Sequence, residues 1–392
     1  MTVLKAGDRS STQLREPIQL RQSQIRGVTN RAHKRFYAQK FDLSGIAPYR
    51  PAREVTKKLR QWGVHYPRLS GLMSAWEAAF LRHHPRASFD DRLASSAVAI
   101  PGLIAGVADL APIGRQALWT ELKGAETQDV FLGGDGTVPL EITVCTGSFN
   151  VSGWTYALAV FVNAANPISR LTFAQLDGIF GAERSGGWKG LAWDPTLARG
   201  PEGNLRRWGQ LGLGGEWENA PINVYAYNLS FHFPDEFDKK VLMNSQKWNE
   251  RMVTFANRTG DKADGTMTVA GEQMIAAVDA DPFGITYTGI LYRTERTKPV
   301  ALARSPEGPF VELTLETVQD RSYPLTRDIY YYIPFKPEKG RRAVDPEAAE
   351  FLRFLLCREA QEAIQEVDGK YLPLTAEEAA RQRAILEGHI LD

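Results

Sequence analysis

The chain is poor in sulfur and in histidine. Its 392 residues include two cysteines, Cys145 and Cys357, and six histidines. Cysteines so far apart form one bridge at most, and their spacing does not say whether they meet. Only His83 and His84 are adjacent, and no spacing typical of a structural zinc site occurs, so no metal site is expected. Also missing is any run of about 18 apolar residues, which excludes a membrane-spanning helix. The first residues lack the apolar stretch of a secretory signal. No internal repeat, low-complexity tract or heptad pattern is present. Neither Cys145 with a histidine nor Asp109 with another carboxylate stands in the context of a catalytic motif. Enzymatic activity and a cofactor are therefore not expected.

What is present is an ordinary globular composition, 43% hydrophobic, long enough for two or three domains. Charge is distributed unevenly. Residues 1 to 60 hold fourteen Lys and Arg against four Asp and Glu, a surplus of +10 that leaves −9 on the rest of a chain whose net charge is +1. Such an arm, with Arg21, Arg26, Arg31, Lys34 and Arg35, reads as a solvated, partly disordered extension. Contact with anionic lipid, nucleic acid or an acidic partner is the other reading, and nucleic acid is not the expected partner.

Beyond the arm, periodicity alternates. Leu69 to His83 has helical spacing of Leu72, Trp76, Ala79 and Phe80, ended by Pro85. Ala87 to Leu93 suits a short strand, Ser96 to Ala105 a helix, and Ala108 to Pro112 the next strand, a βαβ rhythm. Tyr156 to Val162, YALAVFV, suits a strand buried on both faces, followed by an Asn-Pro turn at Asn166 and Pro167. A helix is predicted over Thr172 to Ile179 with Thr172 as its cap. Ile222 to Ala226 is strand-like and Pro234 to Leu242 helix-like. Gly181 to Trp217 reads as a long loop whose tryptophans pack on the body. Asp345 to Asp368 is predicted as one helix, with Pro346 at its first position and Gly369 beyond its end.

Several segments, in order, resemble the phosphate-type periplasmic binding proteins. They are SAWEAAFLRHHP and SSAVAIPGLIAGVADLAPIGR, then FVNAANPISRLTFAQLDGIFG (Phe161 to Gly181) with RRWGQLGLGGEW and PINVY behind it. FGITYTG (Phe283 to Gly289) and YPLTRDIYYYI (Tyr323 to Ile333) follow, and FLRFLLCREAQEAIQEVDGKYLPL closes the series. The resemblance runs from about Leu59 to Leu374. It implies a type II periplasmic-binding fold of two doubly wound α/β lobes joined by crossing hinge strands, with a basic N-terminal extension over 1–59. Lobe one would hold 60–155 and 290–392, and lobe two 156–289. It also implies a solute-binding protein of an ABC-type importer, with inorganic phosphate or another small anion as ligand. The site would be periplasmic or extracellular and the partner a permease. With no signal visible, a cytoplasmic location stays open.

An oxyanion in a closed cleft needs helix N-terminal amides, hydroxyls and an arginine fork. The resemblance places Ser96 in the serine-glycine loop, where a plain helix cap is the competing reading. It places Arg115 at the Ser-Arg position, although Gly114 precedes it and a salt bridge is the alternative. Tyr66, beside His65, falls in the first cleft loop, with a core or surface role as the competing reading, and Ser148 lies in the TGSF turn at the lobe crossover, for which an ordinary turn is the leading reading and a place lining the cleft the other. In lobe two the pattern departs. Where the family carries an Arg followed by Ser-Gly-Thr, this chain has AYNLSFHFPDEF, with Tyr227 at the arginine position and Phe231, His232 and Phe233 at the small residues. Tyr227, Asn228, Ser230 and His232 remain polar candidates. The alternative is a binding-protein fold put to other use, as an interaction module or subunit with altered or lost anion binding.

Overall fold

The computed structural model describes residues 37–65, 71–132, 136–151, 155–258, 267–338, 341–368 and 370–390. Two mixed sheets organise it. In the first lobe the long strand Asp328–Glu338 is the spine, antiparallel to Val138–Thr146, to Ala111–Ile113 and to Arg341–Val344. A parallel pair, Lys58–Trp62 with Ser88–Arg92, joins it through the Gln61 and Leu110 bridge. The second lobe has a five-stranded sheet in the order Val253–Phe255, Asn223–Tyr227, Gly284–Gly289, Leu158–Asn163, Thr297–Pro299. Its first two pairings are parallel and its last two antiparallel. Both bodies are α/β.

Local chemistry explains why the elements form where they do. Every residue of the strand Leu158–Asn163 is buried, as its unbroken apolar run requires of a strand covered on both faces. The helix Phe173–Phe180 starts at a complete capping box. The Thr172 hydroxyl accepts from the Gln175 amide while the Gln175 side chain accepts from the Thr172 amide, satisfying two donors that the first turn leaves open. In lobe one the helix Leu72–His83 sinks Leu72, Met73, Trp76 and Phe80 into a core with Phe351 and Phe354, and the Trp76 indole donates to the Ala360 carbonyl at 2.9 Å. Each such side chain contributes roughly 1.5–3 kcal/mol by burial. The lobe-two core is built on Val160, Phe180, Phe237 and Tyr287, and Trp208 and Trp217 from the glycine-rich stretch are buried in it.

Three expectations need correction. The predicted helix Asp345 to Asp368 is broken. Pro346–Leu355 is capped by Asp345, Cys357 is extended, and Arg358–Ala363 starts afresh before a wide turn over Ile364–Asp368. The break is held from outside, since the Arg358 amide donates to the Ala47 carbonyl and its Nε to that of Ile46. Next, residues 37–59 are not all free arm: Leu43, Ile46, Tyr49, Val55 and Leu59 belong to the lobe-one core. Residues 1–36 lie outside the described residues. Finally, the chain returns to lobe one later than 290. The strand Thr297–Pro299 pairs with Leu158–Asn163, and Val300, Leu302, Tyr323 and Leu325 pack in the second core, whereas Ile329 is the first residue after them in the other.

Candidate functional site

Two segments cross between the lobes side by side. One leaves strand Val138–Thr146 and enters Leu158–Asn163; the other runs from Leu325 to Ile329. The Gly147 amide donates to the Arg327 carbonyl at 2.7 Å and the Leu158 amide to the Leu325 carbonyl at 3.1 Å. Position 147 has to be glycine, because a Cβ there would lie 2.1 Å from the Thr155 oxygen and 2.5 Å from that of Arg327. The cleft starts at this crossing. From lobe one it is bordered by the loop after Ala111–Ile113, from lobe two by the helix His232–Val241. The indole rings of Trp119 and Trp188 meet across it with centroids 4.8 Å apart. A cavity of about 260 Å³ opens beside them, reached by Arg115, Gln116, Asp235, Glu236 and Lys239.

The expected residues fall into distinct environments. Ser95, not Ser96, supplies the cap of the short turn that opens the Ser96–Ile104 region, accepting from the Ala97 amide. That leaves the Ser96 hydroxyl facing Gly114, whose amide it accepts at 3.4 Å. The same Gly114 offers its carbonyl to the Thr155 hydroxyl at 3.1 Å. Arg115 is buried, but its fork is already occupied by Glu121, at 2.8 and 2.7 Å. The salt-bridge alternative therefore holds, and the anion-fork expectation for Arg115 is corrected. Ser148 is likewise consumed, its hydroxyl accepting from the Val151 amide at 2.8 Å and bonded to the Tyr37 hydroxyl at 2.9 Å. Tyr66 lies outside the described residues.

On the lobe-two side, Tyr227 is buried and bonded to the Thr288 hydroxyl at 2.6 Å and the Tyr156 hydroxyl at 3.3 Å. Burial drives its pKa up, so it stays a neutral phenol. It packs the core rather than facing a ligand. Asn228 and Ser230 satisfy each other, the Asn228 oxygen accepting from the Ser230 amide and hydroxyl at 3.0 and 2.8 Å. His232 is different. It is accessible yet crowded by protein, and its pKa is pushed down to about 3 by desolvation first and then by the charges of Arg327 and Arg115. At neutral pH it is therefore an uncharged imidazole, able to donate from one nitrogen and accept at the other.

The charge in this region comes from residues that sequence reasoning did not select. Arg327 is 1% exposed, and none of its three guanidinium nitrogens has a hydrogen-bond partner among the described residues. Its guanidinium lies over the Phe233 ring, 4.8 Å from the centroid. The neighbouring Asp328 gives no relief, since both its oxygens are engaged by Arg321 at 2.7 and 2.8 Å. Lys240 donates to the Thr326 carbonyl, and burial lowers its pKa against the pull of Glu236 and Asp328. Glu236, 4% exposed, accepts from the Gln116 amide of the other lobe at 3.0 Å and leaves its second oxygen without a partner. Burial alone would raise its pKa. Lys240, Arg327 and the Gln116 amide outweigh that, so it stays ionised. Arg115 and Arg321 are thus neutralised by their carboxylates, whereas Arg327 has no carboxylate bonded to it among the described residues. Arg327 lies within the segment YPLTRDIYYYI, but its position between the lobes has no local signature.

Two α/β lobes, joined by adjacent crossing segments and facing each other across a polar cleft, define a two-lobed binding protein. Residues 67–359 match the PBP superfamily domain, and the chain belongs to that family. It is 30% identical over 320 residues to the phosphate-binding protein PstS of Pseudomonas aeruginosa, covering 81% of this chain and 84% of that protein. To the protein SphX of Synechococcus elongatus it is 26% identical over 231 residues, 58% of this chain and 57% of the relative. Among solved structures, an ABC-type phosphate transport receptor from Vibrio cholerae matches 80% of this chain and 99% of its own at 17% identity, with a TM-score of 0.45.

Proposed function

We propose that this chain is a solute-binding protein of an ABC-type importer that captures an oxyanion, inorganic phosphate first, in the cleft between its lobes and presents it to a membrane permease. The observation that carries this reading is kinship to a phosphate-binding protein over four-fifths of both chains, combined with a buried arginine at the lobe junction, Arg327, whose guanidinium has no hydrogen-bond partner among the described residues. A closed cleft strips an anion of its water, so a buried cation must replace that hydration. Such a receptor would work outside the cytoplasmic membrane. It binds without turnover, and closure of the lobes about the crossing segments accompanies binding.

Titration calorimetry of the whole chain with phosphate, sulfate, molybdate and tungstate tests the reading, together with the melting temperature in each. A phosphate complex gives heat and a melting temperature that rises with ligand concentration by mass action. No heat and no shift with any of the four would end it. One observation favours a second reading, an interaction module without a small ligand: the arginine expected in lobe two is Tyr227, whose hydroxyl is committed to the core. That reading requires the same titrations to be silent.

A further inference from the structure

We propose that Arg327, on the segment crossing between the lobes, is the residue that recognises the anion, supplying from the hinge the fork that lobe two lacks; this rests on the oxyanion reading above. Arginine cannot shed its charge to escape burial. A buried guanidinium whose three nitrogens have no hydrogen-bond partner among the described residues is therefore a ready site for an anion.

Among the described residues no carboxylate hydrogen-bonds that fork. Asp328, next in the chain, is held by Arg321; Glu121 is held by Arg115; and Glu236, though held ionised in part by the charge of Arg327, spends one oxygen on the Gln116 amide and makes no hydrogen bond to the guanidinium. Phe233 satisfies only the face of the guanidinium, which leaves the in-plane N–H donors available. A tetrahedral oxyanion is suited to that edge, because two of its oxygens match the spacing of two guanidinium donors. The ring that stacks on Arg327 belongs to lobe two, and so does the neutral His232 that feels its charge. Parting of the lobes removes both from Arg327 and returns it to water. The same group thus holds the anion and gives the closed form its dependence on the anion.

The geometry also separates Arg327 from the other arginines near the lobe junction. Arg115 and Arg321 each grip a carboxylate with two bonds and have no fork left to offer. Charge-assisted hydrogen bonds contribute about 1.5–3 kcal/mol each, so losing two of them predicts at least about a hundredfold weaker binding.

The test is titration of inorganic phosphate into the full chain and into Arg327→Met and Arg327→Lys, with circular dichroism and melting in oxyanion-free buffer to establish folding. The proposal expects the methionine variant to fold and to bind phosphate at least about a hundredfold more weakly. The lysine variant, which keeps the charge but not the fork, should fall between it and the parent. Parent and methionine variant binding phosphate within about threefold of each other would overturn the role of Arg327 while leaving the oxyanion reading in place. A parent that binds none of the four oxyanions would overturn both. Should the methionine variant fail to fold, the lysine variant decides: an affinity equal to the parent's overturns the proposal, and a drop of tenfold or more supports it.

Discussion

Two buried clusters of charge teach opposite lessons. In lobe one, Glu350 is completely buried and every partner is in place: the Tyr49 hydroxyl donates to it at 2.8 Å, the Ala52 amide at 3.1 Å and the Arg353 guanidinium at 2.7 Å. Tyr49 has a single proton, and that proton goes to Glu350, so the His84 Nε2 must donate to Tyr49. Its Nδ1 is then the acceptor for the Val55 amide at 3.2 Å. The histidine is thereby neutral, and burial lowers its pKa in the same direction. At the lobe junction, in contrast, Arg327 and one oxygen of Glu236 have no hydrogen-bond partner among the described residues. A closed network of this kind ties an N-terminal segment to the body, whereas an open one leaves donors for water or a ligand to meet.

Breaking the closed network should cost most. Glu350→Ala removes the common acceptor of Tyr49, Ala52 and Arg353, and is expected to lower the unfolding free energy by about 3–5 kcal/mol in urea titrations. A loss below about 1 kcal/mol would show that the network is not structural. The next effect is a dependence on pH. The folded pKa of His232, about 3, lies below that of the unfolded imidazole, so the unfolded chain takes up the proton first on acidification. Its contribution is fully present above about pH 6.5 and is lost progressively as pH falls from there toward 3. The midpoint of unfolding should fall more steeply on acidification in the parent than in His232→Gln. Parallel pH profiles would mean that the imidazole is freely protonated in the fold.

A smaller change is expected outside both clusters. Thr172→Ala deletes the cap of the helix Phe173–Phe180 and should cost about 1 kcal/mol, a local effect against which the ionic ones are scaled. Smallest is Arg327→Met in oxyanion-free buffer, which relieves an unpartnered buried charge and should leave stability within about 0.5 kcal/mol of the parent or raise it. A loss as large as that of Glu350→Ala would place Arg327 among the structural ions and erase the contrast.

Much of the fold was legible because its causes are local. The capping box at Thr172 and Gln175, the unbroken apolar run of Leu158–Asn163 and the helical stripe of Leu72, Trp76 and Phe80 each declare an element within a few residues. Even where the prediction failed, as at Cys357, the periodicity was sound. The break came from Ala47 and Ile46, which no local pattern can announce. The candidate site was far less legible. Ser96 faces Gly114 and His232 opens the helix His232–Val241, but Arg115 and Ser148 are spent on partners in their own lobe, and Tyr227 is a core residue.

By itself, then, the amino-acid sequence determined the alternation of strands and helices, the two apolar cores and the ancestry that they carry, since periodicity and capping act over one or two turns of chain. Which buried charges are paid and which are left open was decided only by tertiary structure. Arg115, Arg321 and Arg327 are chemically identical. The first two meet Glu121 and Asp328 nearby in the chain, whereas the third is brought between the lobes and against Phe233 by the crossing of two distant segments.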